Sequence, residues 1–388
     1  MLTLSALTAG AILAIGWLLY PVALAVAARR FDPDARAPEG GDATPDSGPP
    51  VATVVIATRD APAVIHARLA NLVETDYPAD RLAIIVAVDA AGDHPLEAYA
   101  SPAGMSGLAQ FLRGDPPGGK AATLNAAMRA VRTDFILFTD SAQVFEPSTV
   151  RTLIAALRLP GVGGVTGEIV TDAERGVFGV FWRYERRLRA LESRRGRVVA
   201  VTGAVHALRR ECWRALPAGL ICDDLLIPLR TARMGLAVVA TSGARARDPR
   251  RFSREEQLDR KVRTLTGMLQ VCLWEPWVLL PWSNRIWASF LCHKLIRIAT
   301  PWLVLFLLVA GAVALPTGIV LTLAAAAAAV SALMLVLLRV SPRRAAREGF
   351  WALRLLAAPL IATGNALRGH WGVWRTHATP APKAPSVS

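Results

Sequence analysis

Cysteine is scarce, with four residues in 388, at Cys212, Cys222, Cys272 and Cys292, and there is neither a CxxC pair nor a histidine at zinc-finger distance. That excludes a disulfide scaffold and a structural zinc module, and leaves free thiols as the expectation in a reducing compartment. Charge is also thin, 19% of residues against 53% hydrophobic, at a mean hydropathy of +0.37. The balance excludes a disordered chain and an ordinary soluble enzyme, and fits a membrane protein with a sizeable water-exposed part. Acidic residues are outnumbered, 30 against 44 basic, for a net charge of +14. The cations stand mostly beside apolar runs and along residues 183–197, with no aromatic-interleaved strand, so no nucleic-acid partner is expected. Positive-inside bias and anionic lipid account for the excess.

The apolar residues that are present collect at the two ends. Residues 2–28 are broken only by Pro21, enough for the roughly 20 residues that cross a ~30 Å hydrocarbon core. No Lys or Arg precedes this run and Arg29-Arg30 follow it, which favours an anchor over a cleaved signal peptide and places the chain from Phe31 onward in the cytosol. Residues 299–315 and 319–340 flank Pro316-Thr317-Gly318 as the two arms of a membrane hairpin. Arg339, Arg343, Arg344 and Arg347 mark the cytosolic side again, and residues 350–366, with Arg354 and Pro359, form a fourth candidate span.

The expected division is an anchor over 1–30, a Pro/Gly-rich tether over 31–50 and a water-exposed domain over 51–274. Interfacial helices over 275–298, the hairpin over 299–340, a basic loop with the candidate fourth span over 341–375 and a Pro/Ala-rich tail over 376–388 complete it. Such a chain is expected to be multi-pass in the inner (plasma) membrane with its domain cytosolic.

Inside the domain, residues 51–58 (VATVVIAT), 82–88 (LAIIVAV) and 135–138 (FILF) read as strands buried on both faces, the first followed by a helix over 62–74. Asp89 and Asp140 stand just past the second and third strands, where parallel βαβ units place ligands, so a nucleotide and a metal ion are the expected occupants. Taken singly, each is equally well an Asp in a turn or a helix cap.

The constellation is more specific than its parts. Val54 to Asp60, Tyr77-Pro78, Val86 to Asp93, Gly118-Gly119-Lys120 with Leu124-Asn125, and Phe138-Thr139-Asp140 follow in an order and spacing that resembles the family-2 glycosyltransferases of the GT-A fold, over about residues 51–270. The resemblance implies an α/β, Rossmann-like, mostly parallel sheet as a cytosolic domain with N- and C-terminal transmembrane helices. It implies donor binding by Thr58, Asp60, Asp89, Lys120, Asp140, Arg260 and Arg263, with Asp89 on the nucleoside, Lys120 by the base and diphosphate, and Asp140 on a divalent cation, Mg²⁺ or Mn²⁺. Thr202-Gly203-Ala204 resembles the acceptor-side segment, making Gly203 and Ala204 its residues here. Asp223-Asp224 looks like the family's acidic pair, with Asp224 as catalytic base.

Two departures stand beside the match. Ser141-Ala142-Gln143 follows Asp140 where metal-binding members carry a second ligand side chain. Gln257-Leu258-Asp259-Arg260-Lys261 keeps the Gln and Arg of the processive members' motif and lacks its Trp. The chain is therefore similar to non-processive membrane members within the hyaluronan/cellulose synthase superfamily, as His293-Lys294, Arg297 and Pro301 also suggest. The implied activity is inverting transfer from a nucleoside-diphosphate sugar, with UDP the favoured carrier, to a lipid-linked or membrane-associated glycan acceptor. A catalytically silent nucleotide-sugar-binding subunit and a processive polysaccharide synthase are the alternatives. A transporter fails for want of charge pairs inside the spans.

The chemistry asks for these residue types. Displacing a diphosphate from an anomeric carbon builds negative charge on phosphate, which cations meet, and requires a base for the acceptor hydroxyl. On the expected helix over 254–273, Arg260 and Arg263 lie three apart, so both reach toward one phosphate cluster. The basic stretch 181–197 reads as a solvated or lipid-facing helix. His206 reads as a hydrogen-bonded core histidine outside the metal site. Trp274, Trp277, Trp282 and Trp287 are expected at the headgroup level.

Overall fold

The β-branched and apolar runs form a sheet buried on both faces, which is what their lack of polar alternation requires. A computed structural model describes residues 1–29, 48–99, 107–170, 177–250, 252–314, 316, 318–319 and 341–372. The tether over 31–50 (except 48–50), the second hairpin arm beyond 319 and the tail lie outside the described residues. The strands are β1 Ala52–Thr58, β2 Leu82–Val88, β3 Gln110–Arg113, β4 Phe135–Thr139, β5 Val144–Phe145, β6 Val162–Val170, β7 His206–Arg209 and β8 Ala237–Arg247. They form one sheet in the order β3-β2-β1-β4-β7-β6-β8-β5. The pairs β1–β2, β1–β4, β2–β3 and β6–β8 are parallel, whereas β7 runs antiparallel to β4 and β6, and β5 to β8. The sheet is thus the mostly parallel α/β one expected. Because β1, β2 and β4 run in register, Thr58, Val88 and Thr139 end at one edge, where the site forms.

The helices are α1 Leu2–Ala14, α2 Tyr20–Arg29, α3 Pro62–Val73, α4 Lys120–Ala130, α5 Thr149–Leu157, α6 Val177–Arg194, α7 Asp223–Arg233, α8 Arg254–Trp274, α9 Trp287–Phe290, α10 Ile296–Ala314 and α11 Pro342–Leu367. One face of the sheet packs on α3 and α5 through Ile65, Leu69, Leu153 and Leu157. The other packs on α4, α7 and α8 through Leu124, Leu226, Leu229 and Val271. Pro62 opens α3, where its missing N–H costs nothing. Ser253 and Glu256 form a reciprocal capping box that fixes where α8 begins.

Leu2–Ala28, Trp287–Ala314 and Ala346–Leu367 are long and apolar enough to cross a membrane. A π turn over Ile15–Leu19 joins α1 to α2. There Gly16 meets α10 so closely that a Cβ would lie 2.5 Å from Ile296 Cγ2, and Trp17 Nε1 donates to Thr300 Oγ1 at 2.9 Å. The helix expected from 299 starts earlier, at Trp287, and so takes in part of the segment read as interfacial.

One expectation is corrected. The stretch 181–197 is not a solvated or lipid-facing face throughout: Leu188 and Glu192 are buried, and Arg189 donates to Thr202 Oγ1 at 2.8 Å. A charge run on one helix conceals which face is covered, and here α2, β8 and the Trp287–Ala314 helix cover it.

Candidate active site

Asp89, at the end of β2, is fully buried and saturated with donors. Its carboxylate accepts from the backbone N–H of Ala91 at 2.8 Å and of Gly119 at 2.7 Å, and from Thr123 Oγ1 and Arg59 Nη2 at 3.2 Å each. Gly118 and Gly119 carry φ of 96° and 100°, which a side chain rarely adopts. They turn the chain sharply into α4 and bring Lys120 in at its first residue.

Lys120 is the hub of the second group. Its Nζ lies 3.4 Å from Asp140 Oδ1 and 3.3 Å from Asp223 Oδ2, with a quarter of the side chain exposed. Burial pulls the ammonium down, but Asp223, Asp140 and Asp224 outweigh it and hold the pKa above the ordinary lysine value. Burial likewise pushes Asp140 up, and Lys120 and Arg250 reverse this to leave it below the usual carboxylate range. Asp223 and Asp224 open α7, where the helix N-terminus favours negative charge. Even so, Asp224 is pushed up to about 6, first by burial and then by Asp223. Lys120, Lys294 and Arg263 act against that rise.

Gly203 faces this group: a Cβ there would stand 3.6 Å from Lys120 Nζ and 3.9 Å from Asp224 Oδ2. The absent side chain leaves a recess floored by Val55, Ala57, Leu124 and Phe138 and rimmed by Lys120, Asp140, Gly203 and Asp223. Ala204, beside it, is buried. The Asp60 carboxylate accepts from Ser141 Oγ next to Asp140, and its N–H donates to Thr58 Oγ1 at 2.9 Å.

Arg260 and Arg263 differ from each other. The guanidinium of Arg260 stacks over the Phe252 ring at 3.9 Å, with its pKa lowered by burial and then by Arg250. Arg263 bears on both Asp140 and Asp224 by its charge. His206 is buried, with Nδ1 3.2 Å from the Thr202 carbonyl and its ring stacked on Phe138 at 4.8 Å. Burial takes its pKa down to about 4.

Three further groups were not read from the sequence. Arg68, buried under the site, donates to Thr139 Oγ1 at 3.0 Å and to Asn71, and lies 4.0 Å over the Phe145 ring. Burial lowers it to about 9, against the pull of Asp140. Its one sequence signal is an arginine within the apolar stripe of Ile65, Leu69 and Leu72. Asp248 holds Arg250 at 2.9 Å and accepts from Gln143 Nε2 at 3.1 Å, which brings the end of β8 to the Asp140 turn. Glu192 accepts from Tyr20 Oη at 2.8 Å and pairs with His293 Nδ1 at 2.7 Å, while His293 Nε2 lies 3.0 Å from Glu185. All four cysteines are free and buried.

Among the described residues, no three His, Cys, Asp or Glu side chains gather as a ready-made metal site. Asp140 fits a hard cation all the same: it is ionised, 38% exposed and opens on the recess. A magnesium-like ion takes one or two carboxylates and fills its sphere with substrate phosphate and water.

The family model described as Glycosyltransferase like family 2 matches residues 49–267. Among solved structures, the chain is similar to the mannosyltransferase PcManGT from Pyrobaculum calidifontis, solved in complex with GDP-Man and Mn²⁺. Identity is 20%, TM-score 0.67, and 95% of this chain and 99% of that one are covered. It is similar over a smaller part to glucosyl-3-phosphoglycerate synthase from Mycobacterium tuberculosis, solved with Mn²⁺, UDP and phosphoglyceric acid, at 15% identity and a TM-score of 0.41, covering 57% of this chain and 78% of that one. S. aureus TarS stands at 15% identity and a TM-score of 0.40, covering 56% of this chain and 40% of that one. No curated protein matches the chain.

Proposed function

This chain is a glycosyltransferase belonging to family 2, and we propose that it moves a sugar from a nucleoside-diphosphate donor, with inversion, to a hydroxyl of a lipid-linked or membrane-associated acceptor. The observation that carries this reading is Asp224: a carboxylate whose affinity for a proton is raised, with Oδ2 3.9 Å from where a Cβ at Gly203 would stand, a point 3.6 Å from the Lys120 ammonium.

The reaction follows from the residues. Asp89 and the Gly118-Gly119 turn take the nucleoside, with Thr58 and Asp60 at the neighbouring strand end. Lys120 meets the diphosphate, and Arg263 adds charge from α8, with Arg260 beside it. The acceptor hydroxyl enters over Gly203 and Ala204. Asp224 takes its proton as the oxygen bonds to the anomeric carbon, and the bond from that carbon to the diphosphate oxygen breaks with its electron pair leaving on phosphate. Attack opposite the leaving group inverts the centre. Asp223 keeps Lys120 in place. A divalent cation held by Asp140 would neutralise charge on the leaving diphosphate, as Mg²⁺ or Mn²⁺ does with oxygen ligands.

The membrane acceptor is supported by the apolar helices that flank the domain, Leu2–Ala28 and Trp287–Ala314. We place the domain on the cytosolic face of the inner membrane from Arg29-Arg30 and Arg343-Arg344. The resemblance favours a uridine donor, whereas the similar mannosyltransferase was solved with GDP-Man, so both carriers belong in the test.

The test is nucleoside-diphosphate release by the reconstituted full chain, over UDP- and GDP-sugars with native lipid extract, for wild type and Asp224→Asn. Release that the variant loses supports the reading and names the donor. Donor binding without release, equal in both proteins, refutes it and favours a silent binding subunit.

A further inference from the structure

α11 looks, by length and composition, like a membrane span. Its packing contradicts that. Glu348 meets Arg254 at 2.5 Å, Arg354 meets Glu255 at 3.4 Å, and Asn365 Nδ2 donates to Thr266 Oγ1 at 3.3 Å. Just past the helix, Trp371 lies edge-on to Trp274, with ring centroids 6.0 Å apart. The partners advance together along both chains, so α11 lies parallel beside α8 from Glu348 to Asn365.

α8 is no membrane helix. Arg254, Glu255, Glu256, Asp259, Arg260, Lys261 and Arg263 fall within its first ten residues. A charge at the centre of a bilayer costs at least ~2.5–3.5 kcal/mol in an isolated helix. If α11 crossed the membrane, α8 would be drawn in beside it, together with the arginines that serve the recess.

We propose that α11 lies in the plane of the membrane, an interfacial helix seated between α8 and an anionic lipid leaflet. Its inner face carries Trp351, Ala358 and Ala362, all buried. Its outer face carries Phe350, Leu353, Leu356, Ile361 and Leu367, all exposed and recurring at helical spacing. Arg343 and Arg347 at one end and Arg368 at the other are exposed beside that apolar stripe, the pattern of a helix half-sunk among acidic headgroups. Lipid is the occupant because α11 also packs on α10, whose outward Leu305, Leu308 and Val309 are exposed apolar residues of a candidate span. Trp282, 81% exposed, stands on the chain segment between α8 and α10. The leaflet thereby braces α8, and with it Arg263, against the sheet.

The full-length protein in oriented vesicles tests this, each variant first checked for retained donor binding. Ser341→Cys and Arg368→Cys bracket the helix, and the four native cysteines are buried. Both positions are expected to react with a membrane-impermeant maleimide from the same face, and reaction from opposite faces overturns the proposal. A spin label at Leu353→Cys is expected to collide with oxygen and to lose broadening by a water-soluble nickel chelate. Strong nickel broadening would show the face in water, and shielding from both probes would show protein covering it; either overturns the lipid assignment. Adding phosphatidylglycerol to phosphatidylcholine vesicles is expected to raise the oxygen-to-nickel ratio, and an unchanged ratio overturns the anionic-headgroup part.

Discussion

Gly118 stands against Asp89 so closely that a Cβ at 118 would fall 2.5 Å from Asp89 Oδ1. The turn therefore needs glycine twice over, for the contact and for a φ of 96°. Gly118→Ala is expected to push Asp89 off the Ala91 and Gly119 amides. Left-handed backbone costs roughly 1–2 kcal/mol in a residue with a Cβ, which lowers folding stability, and donor affinity should fall because the displaced Asp89 no longer stands where the nucleoside is proposed to meet it. Calorimetric titration of wild type and variant with the nucleoside diphosphate checks it, and unchanged affinity would separate Asp89 from the donor.

How much of this was legible in the chain follows from what each signal encodes. β1, β2 and β4 appear within a residue of their expected ends, because a run such as Val54-Val55-Ile56 fits little else than a strand buried on both faces. Asp89 and Asp140 were readable as carboxylates just past buried strands, whereas Lys120 and Asp223-Asp224 came only from the resemblance to the family. Arg68 was not, since its partner Thr139 lies 71 residues on. Glu192 was not either, because its pairing with His293 spans 101 residues and joins segments that periodicity describes only one at a time. The position of α11 was hidden for a related reason: hydropathy measures how apolar a helix is, and only its neighbour α8 says where it lies.

Asp224 sets a pH dependence. A base must be ionised to accept a proton, so with its pKa at about 6 the turnover should climb as pH rises through 6 and level off above it. Asp224→Asn should remove that limb and cut kcat by ~10² or more, the scale of general-base catalysis, while leaving donor affinity near wild type. Stability should move the other way. The folded state raises this pKa, so the ionised carboxylate is destabilising above pH 6, and the neutral amide should unfold at the same temperature or higher at pH 7. A kcat profile from pH 5 to 9 and melting curves of both proteins decide this; a limb that survives in the variant would assign the base elsewhere.

Asp140 is the more exposed of the two carboxylates paired with Lys120, 38% against 6% for Asp223, and its pKa is held below the usual carboxylate range. EDTA should abolish turnover, and Mn²⁺ or Mg²⁺ in excess should restore it. Asp140→Asn should weaken the metal's effect on donor binding, read as loss of the Mn²⁺-dependent gain in affinity. Turnover that ignores EDTA would leave Lys120 and the arginines as the sole counter-charge to the diphosphate.

Glu192 joins three segments far apart in sequence, holding Tyr20 of the first apolar helix and His293 of the Trp287–Ala314 helix, from a buried site on α6. Glu192→Ala would remove the partner of half-buried Tyr20 and of the buried His293 Nδ1, whereas Glu192→Gln keeps an acceptor for one of them. A buried polar group left without its partner costs about 1–3 kcal/mol. The alanine variant should therefore melt well below wild type in lipid nanodiscs, with the glutamine variant between them. Because Arg189 reaches Thr202 beside Gly203 from the same helix, the alanine variant should also raise the apparent KM for acceptor before it changes that for donor. Equal melting of all three proteins would show that the cluster does not hold the apolar helices to the domain.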